Sequence, residues 1–165
     1  MTAASDRAAQ RLRAAQRLRA ALDEQRANLG EPAWAGPGEP EALGRACALA
    51  VIQALGAGLT PVPEALRAAA RYLVGLLAAQ APGRAVEVRV PPYAAAQCIP
   101  GPRHTRGTPA NVVEMDPVTW IRLAAGLTSW ADTVAAGAVR ASGVRADLGP
   151  YLPVLEMPGA SGAEH

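Results

Sequence analysis

Residues 97–116 read Q-C-I-P-G-P-R-H-T-R-G-T-P-A-N-V-V-E-M-D, and their order of residue types sets the frame for the whole chain. An apolar run ends at Ile99, a loop rich in Pro and Gly follows, Asn111–Met115 reads as a strand, and Asp116-Pro117 opens a helix. Aspartate at that position caps free backbone amides, and proline is preset for a first helical turn.

Downstream, the helix begun at Asp116 runs through Leu123 and is expected to stop at Gly126. A second helix begins near Thr128 or Ser129 and ends at Gly137, where a left-handed residue can close the last turn. Ala138–Ser142 alternates as a further strand, and Gly143 turns the chain into a final helix limited by Pro153. Upstream, Val86–Val90 alternates V-E-V-R-V as a half-buried strand, Pro91 and Pro92 break it, and Tyr93–Ile99 reads as a second strand. Before these lie two apolar helical patterns, Glu41–Ala57 and Glu64–Ala79; the second carries Leu66, Ala69, Ala70, Leu73, Leu76 and Leu77 on one face. Helices, three strands, two helices, a strand and a helix imply an α+β fold, helices against one face of a four- to five-stranded mixed or antiparallel sheet.

The N-terminal region differs in composition. All 16 basic residues are arginine, a bias expected of a high-GC bacterial genome. Six of those arginines fall in residues 1–30 against Asp6, Asp23 and Glu24, so residues 1–29 read as a basic amphipathic helix. Residues 9–14 and 15–20 are the same hexapeptide, A-Q-R-L-R-A, a duplication too short to imply a repeat architecture. Ala8, Leu12, Ala15, Leu18, Leu22 and Leu29 drift along one side of this helix. That stripe packs on the chain's own domain, or it docks on a protein partner or an anionic membrane surface. Residues 30–40, G-E-P-A-W-A-G-P-G-E-P, cannot hold a helix and read as a linker whose Trp34 is either a tether or a half-exposed aromatic. Residues 41–155 then form the main domain, and 156–165 a disordered tail. At 165 residues one core is expected.

Several function classes fall away. A net charge of only +2 is a poor match for a nucleic-acid binder that relies on a broad basic field. The most apolar run, Ala46–Leu59, is shorter than the roughly 20 residues a transmembrane helix needs. No apolar stretch of signal-peptide type follows the Arg-rich start, so a cytoplasmic location is expected. Cys47 and Cys98 stand far apart without zinc spacing and read as free thiols, and no metal or cofactor is expected.

The polar loop is the conspicuous chemical feature. Arg103, His104, Thr105, Arg106 and Thr108 supply two guanidinium forks, an imidazole and two hydroxyls that suit a phosphate or carboxylate headgroup. The alternative is structural: His104 and the threonines satisfy loop carbonyls while the arginines pair with Glu114, Asp116 or Asp132. No nucleophile or orienting carboxylate can be assigned beside His104, and Gly101 begins neither a G-x-G-x-x-G nor a Walker pattern. A non-enzymatic protein is therefore expected.

Three motifs carry a family resemblance: P-P-Y-A-A-A-Q-C at Pro91–Cys98, G-P-R-H-T-R-G-T-P at Gly101–Pro109 and N-V-V-E-M-D-P-V-T-W at Asn111–Trp120. With the order of elements after Asp116, they resemble the bacterial branch of the sterol carrier protein family over roughly residues 60–155. The resemblance implies helices and a sheet around an apolar ligand tunnel, partly closed by a C-terminal amphipathic helix. It implies a lining of Trp120, Leu123, Leu127, Trp130, Val134, Leu148, Leu152 and Leu155, although ordinary core packing produces the same apolar spacing. Established carriers have an additional long strand ahead of the matched region, which this chain lacks. Two functions stay open: binding or transfer of a lipid or other hydrophobic ligand, and a protein-interaction module with a filled core.

Overall fold

The computed structural model describes residues 3–102 and 111–155. Among these are five α-helices, a four-stranded mixed sheet and one 3-10 turn, an α+β fold as the sequence pattern predicts. The chain divides into two compact units, residues 1–69 and 70–165, where length alone predicts a single core. The division falls inside a helix and not at the Gly30–Pro40 segment.

In the first unit, helix α1 (Ala3–Asn28) packs against α2 (Pro40–Gly56), and the first turns of α3 (Pro63–Gln80) complete the unit. Only the C-terminal half of α1 is packed. Ala21, Leu22 and Gln25 are buried, whereas every residue from Ala4 to Ala14 is exposed, Leu12 at 61%. The Leu stripe read from the sequence is thus divided between interior and solvent. Gln25 is fully buried with both side-chain polar atoms bonded: its Oε1 accepts from Val62 N at 2.8 Å and its Nε2 donates to Asn28 Oδ1 at 3.2 Å. Such pairing is what makes a buried amide tolerable.

The proline- and glycine-rich segment after α1 is tied to that helix by side chains. Trp34 N donates to Asp23 Oδ1 at 2.7 Å, Arg19 Nη2 donates to Trp34 O, and Arg26 Nε donates to Pro32 O at 2.7 Å. Lacking regular structure, the segment satisfies its backbone through α1 instead.

In the second unit the rest of α3 is followed by β1 (Val86–Val90), β2 (Ala94–Cys98), β3 (Val112–Glu114), α4 (Pro117–Ala124), α5 (Trp130–Ala135) and β4 (Arg140–Ser142). The sheet order is β2-β1-β3-β4. β1 pairs antiparallel with β2, from Val86 opposite Cys98 to Val90 opposite Ala94, and parallel with β3, Val88 lying opposite Val113. β4 runs antiparallel beside β3. Period-2 alternation decides which face is interior: Val86, Val88, Val90 and Val113 are buried, while Glu87, Arg89 and Glu114 point the other way. Asn111 fastens the start of β3, donating to Ala85 O at 2.8 Å and accepting from Arg145 N at 2.9 Å.

The glycine stops act as the sequence predicts. At Gly126 the amide bonds Leu123 O at 3.1 Å and the next amide bonds Arg122 O at 2.8 Å, with φ of 71°. The same paired bonds end α5 at Gly137 and α1 at Gly30, because a left-handed residue lets two orphan carbonyls find donors.

The expected final helix is corrected. Between Gly143 and Leu155 only Gly149–Tyr151 winds, as a single 3-10 turn. Pro150 and Pro153 both lack an amide donor, so no run is long enough to nucleate an α-helix. The chain crosses as a strap instead: Val154 N and Leu155 N both donate to Ala124 O, at 2.9 and 3.1 Å, and Gln80 Nε2 donates to Val154 O at 2.9 Å.

Candidate functional site

Helix α4 is the centre of the second unit. Asp116 Oδ1 accepts from Val118 N at 2.9 Å and from Thr119 N at 3.0 Å, and its other oxygen accepts from the Thr119 hydroxyl. With its start thus capped, the helix turns Trp120, Ile121, Leu123 and Ala124 inward. Trp120 is completely buried, and its indole N–H donates to Ala70 O at 3.3 Å, so the one polar atom of the ring is satisfied.

The eight residues expected to line a ligand tunnel fall into two sets. Trp120, Leu123, Leu148 and Leu155 are buried, each at most 3% exposed, together with Ile121, Val113, Met115 and Val139. Leu127 and Val134 are each 42% exposed, and Trp130 and Leu152 are half-buried. Trp130 and Val134 lie one turn apart on α5, which Ser129 opens by accepting from Asp132 N at 3.1 Å. Trp130 also packs on the strap, where a Cβ added to Gly149 would lie 3.2 Å from its Cδ1; separately, the stop after α4 meets the strap, a Cβ on Gly126 lying 3.5 Å from Pro153. The second set therefore stays at the surface, Trp130 against the strap, with the first set beneath solvent reach.

The five residues of the polar loop, Arg103, His104, Thr105, Arg106 and Thr108, lie outside the described residues. Three carboxylates considered as partners for that loop have bonds elsewhere. Glu114 Oε1 sits 3.7 Å from Arg140 Nη1, Asp116 caps α4, and Asp132 Oδ2 accepts from the Ser129 hydroxyl at 2.6 Å.

A groove that sequence reasoning missed opens at the β1–β2 turn. It has a volume of about 370 Å³ and is lined by Arg89, Pro91, Pro92, Tyr93 and Glu114 with the start of β2. Arg89 is ion-paired to Glu87, whose hydrogen bond and charge raise the guanidinium pKa. Only the register of β1 on β3 places Glu114 beside Arg89, so no local pattern reveals this site.

The two cysteines are free and buried. Burial pushes the Cys47 thiol up to about 12 and the Cys98 thiol up to about 11, which suppresses the thiolate a nucleophile needs. Cys47 Sγ lies 3.7 Å from Ala65 O. Among the described residues no helix is long and apolar enough to cross a membrane.

A capped helix with its apolar side buried, a four-stranded mixed sheet and a strap returning across the helix end make up a small α+β domain. The chain belongs to the family described as bacterial SCP ortholog, SCP standing for sterol carrier protein, whose model matches residues 63–154, more than half of the chain. The match begins with α3 and ends on the strap, leaving α1 and α2 outside it. No curated protein matches the chain.

Proposed function

We propose that this protein binds a lipid or another hydrophobic molecule without transforming it, the apolar part of the ligand lying against Leu127, Trp130, Val134 and Leu152. The observation that supports this reading is that those four apolar side chains stay exposed or half-buried within the segment that the carrier family covers. Apolar side chains left in contact with water next to an already filled core gain free energy when a ligand covers them, at about 25 cal/mol per Å². Ligand uptake at this face needs no opening of the α4 core, because Trp120, Leu123 and Leu148 are already buried by protein. In native mass spectrometry of the full chain after exposure to a lipid panel, a bound lipid or fatty acid is expected. Trp130→Ala is expected to lower its affinity about tenfold, a loss of ~1.4 kcal/mol of binding, read as lower occupancy at sub-saturating lipid. A clean apo mass with every lipid in the panel overturns the reading.

A second reading rests on a different observation, the exposure of every residue from Ala4 to Ala14 of α1. Arg7, Arg11 and Arg13 surround Leu12 there, a basic and weakly apolar helix suited to an acidic partner or anionic surface. Removal of residues 1–14 leaves the packed half of α1 intact, so any vesicle binding by phosphatidylglycerol membranes that this helix supports is lost while lipid occupancy is kept.

A further inference from the structure

Outside the segment covered by the family, the first unit contains a second groove, between the end of α1, the Gly30–Pro40 segment and α2. Its volume is about 340 Å³, which falls toward the small end of the ~300–1,000 Å³ typical of ligand pockets. Its floor is one stripe of α2, Ala42, Ala46, Leu49 and Ala50, residues three and four apart that share a helical face. Trp34 and Pro37 form the opposite wall. That wall is held in place: the indole N–H donates to Pro37 O at 2.9 Å, and the ring lies so close to Gly36 that a Cβ there would fall 2.3 Å from its Cζ2. Any side chain at position 36 would push the ring off.

The charges at the rim do not balance. Arg26 Nη1 pairs with Glu31 Oε2 at 2.9 Å while its guanidinium carbon stands 5.8 Å above the Trp34 ring, and Gln53 Nε2 donates to Glu31 Oε1 at 3.1 Å. Those groups satisfy one another. Arg45 also lines the groove, is exposed, and among the described residues has no ion-pair partner. The groove thus joins an apolar floor to the Arg45 cation, which no ion pair among the described residues engages.

We infer that this groove binds a carboxylate-bearing aliphatic amphiphile, its tail along the alanine and leucine floor and its carboxylate on the Arg45 guanidinium. The planar fork of arginine matches a carboxylate with two parallel N–H donors. A peptide is a poorer occupant, because the floor offers only methyl groups and helix backbone already bonded internally. Peptide amides laid on it lose water without gaining partners, whereas an aliphatic tail has no such groups to strand.

The three indole N–H resonances of the ¹⁵N-labelled full chain provide the test, that of Trp34 being the one absent from Trp34→Phe. Sodium octanoate, added below its micelle threshold, is expected to shift the Trp34 resonance saturably and leave Trp120 unmoved. Arg45→Gln is expected to weaken octanoate about fivefold, the worth of a partly exposed charge contact, and to change 1-octanol by under about twofold. Ala42→Leu, at the half-buried rim of the floor, is expected to weaken both. An unmoved Trp34 overturns the inference, as does an equal loss of octanoate and 1-octanol affinity in Arg45→Gln. A shift confined to Trp130 overturns it too, while supporting the separate lipid-binding face on α5.

Discussion

Helices α4 and α5 follow one another in the chain, each opened by a side-chain cap and closed by a left-handed glycine, yet they stand at opposite ends of the burial scale. α4 sends Trp120, Ile121, Leu123 and Ala124 into the core. α5 buries only Thr133, and its one aromatic, Trp130, stays half in solvent. Capping decides where each begins, at a worth of about 1 kcal/mol. What the element then contributes depends on how much of its apolar side other segments cover, and α4 is held by α3 at Ala70 O and by the strap at Ala124 O. Core burial and surface exposure are therefore separated between two short helices of similar local design.

The sharpest way to break this contrast is to truncate the two tryptophans. Trp120→Ala removes a fully buried ring together with the donor to Ala70 O, and a loss of about 3–5 kcal/mol is expected in urea unfolding. Removing the α4 cap comes next: Asp116→Ala leaves Val118 N and Thr119 N without their acceptor and is expected to cost about 1–2 kcal/mol, with Asp116→Asn recovering most of it. The smallest changes belong to α5, where Ser129→Ala and Trp130→Ala are each expected to cost under about 1 kcal/mol because the helix carries little of the core. If Trp130→Ala destabilises the chain as much as Trp120→Ala, α5 is a core element and its apolar face is not free for a ligand.

Most element positions were legible before any coordinates. Asp116-Pro117, Gly126, Ser129 and Gly137 act through neighbours within a few residues, so their geometry is written in local sequence. The alternation of Val86–Val90 likewise announces a strand with one interior face. The family was legible too, in motifs between Pro91 and Trp120 that fall within the matched segment. The strap was misread as a helix because its apolar residues have helical spacing, and two missing proline donors outweighed that pattern. The Gly30–Pro40 segment reads locally as unstructured. Its order comes from Asp23, Arg19 and Arg26, on a helix whose approach no local rule specifies.

By itself the sequence determined where helices start and stop, which strands alternate, and the carrier family, since caps, glycine stops and side-chain period are properties of neighbouring residues. Tertiary structure alone decided which of eight similar apolar residues became core and which remained surface, how Glu114 came to stand beside Arg89, and that Trp34 walls a groove. Those outcomes depend on segments far apart in the chain competing to cover the same apolar area, and spacing along a single helix or loop cannot say which will arrive.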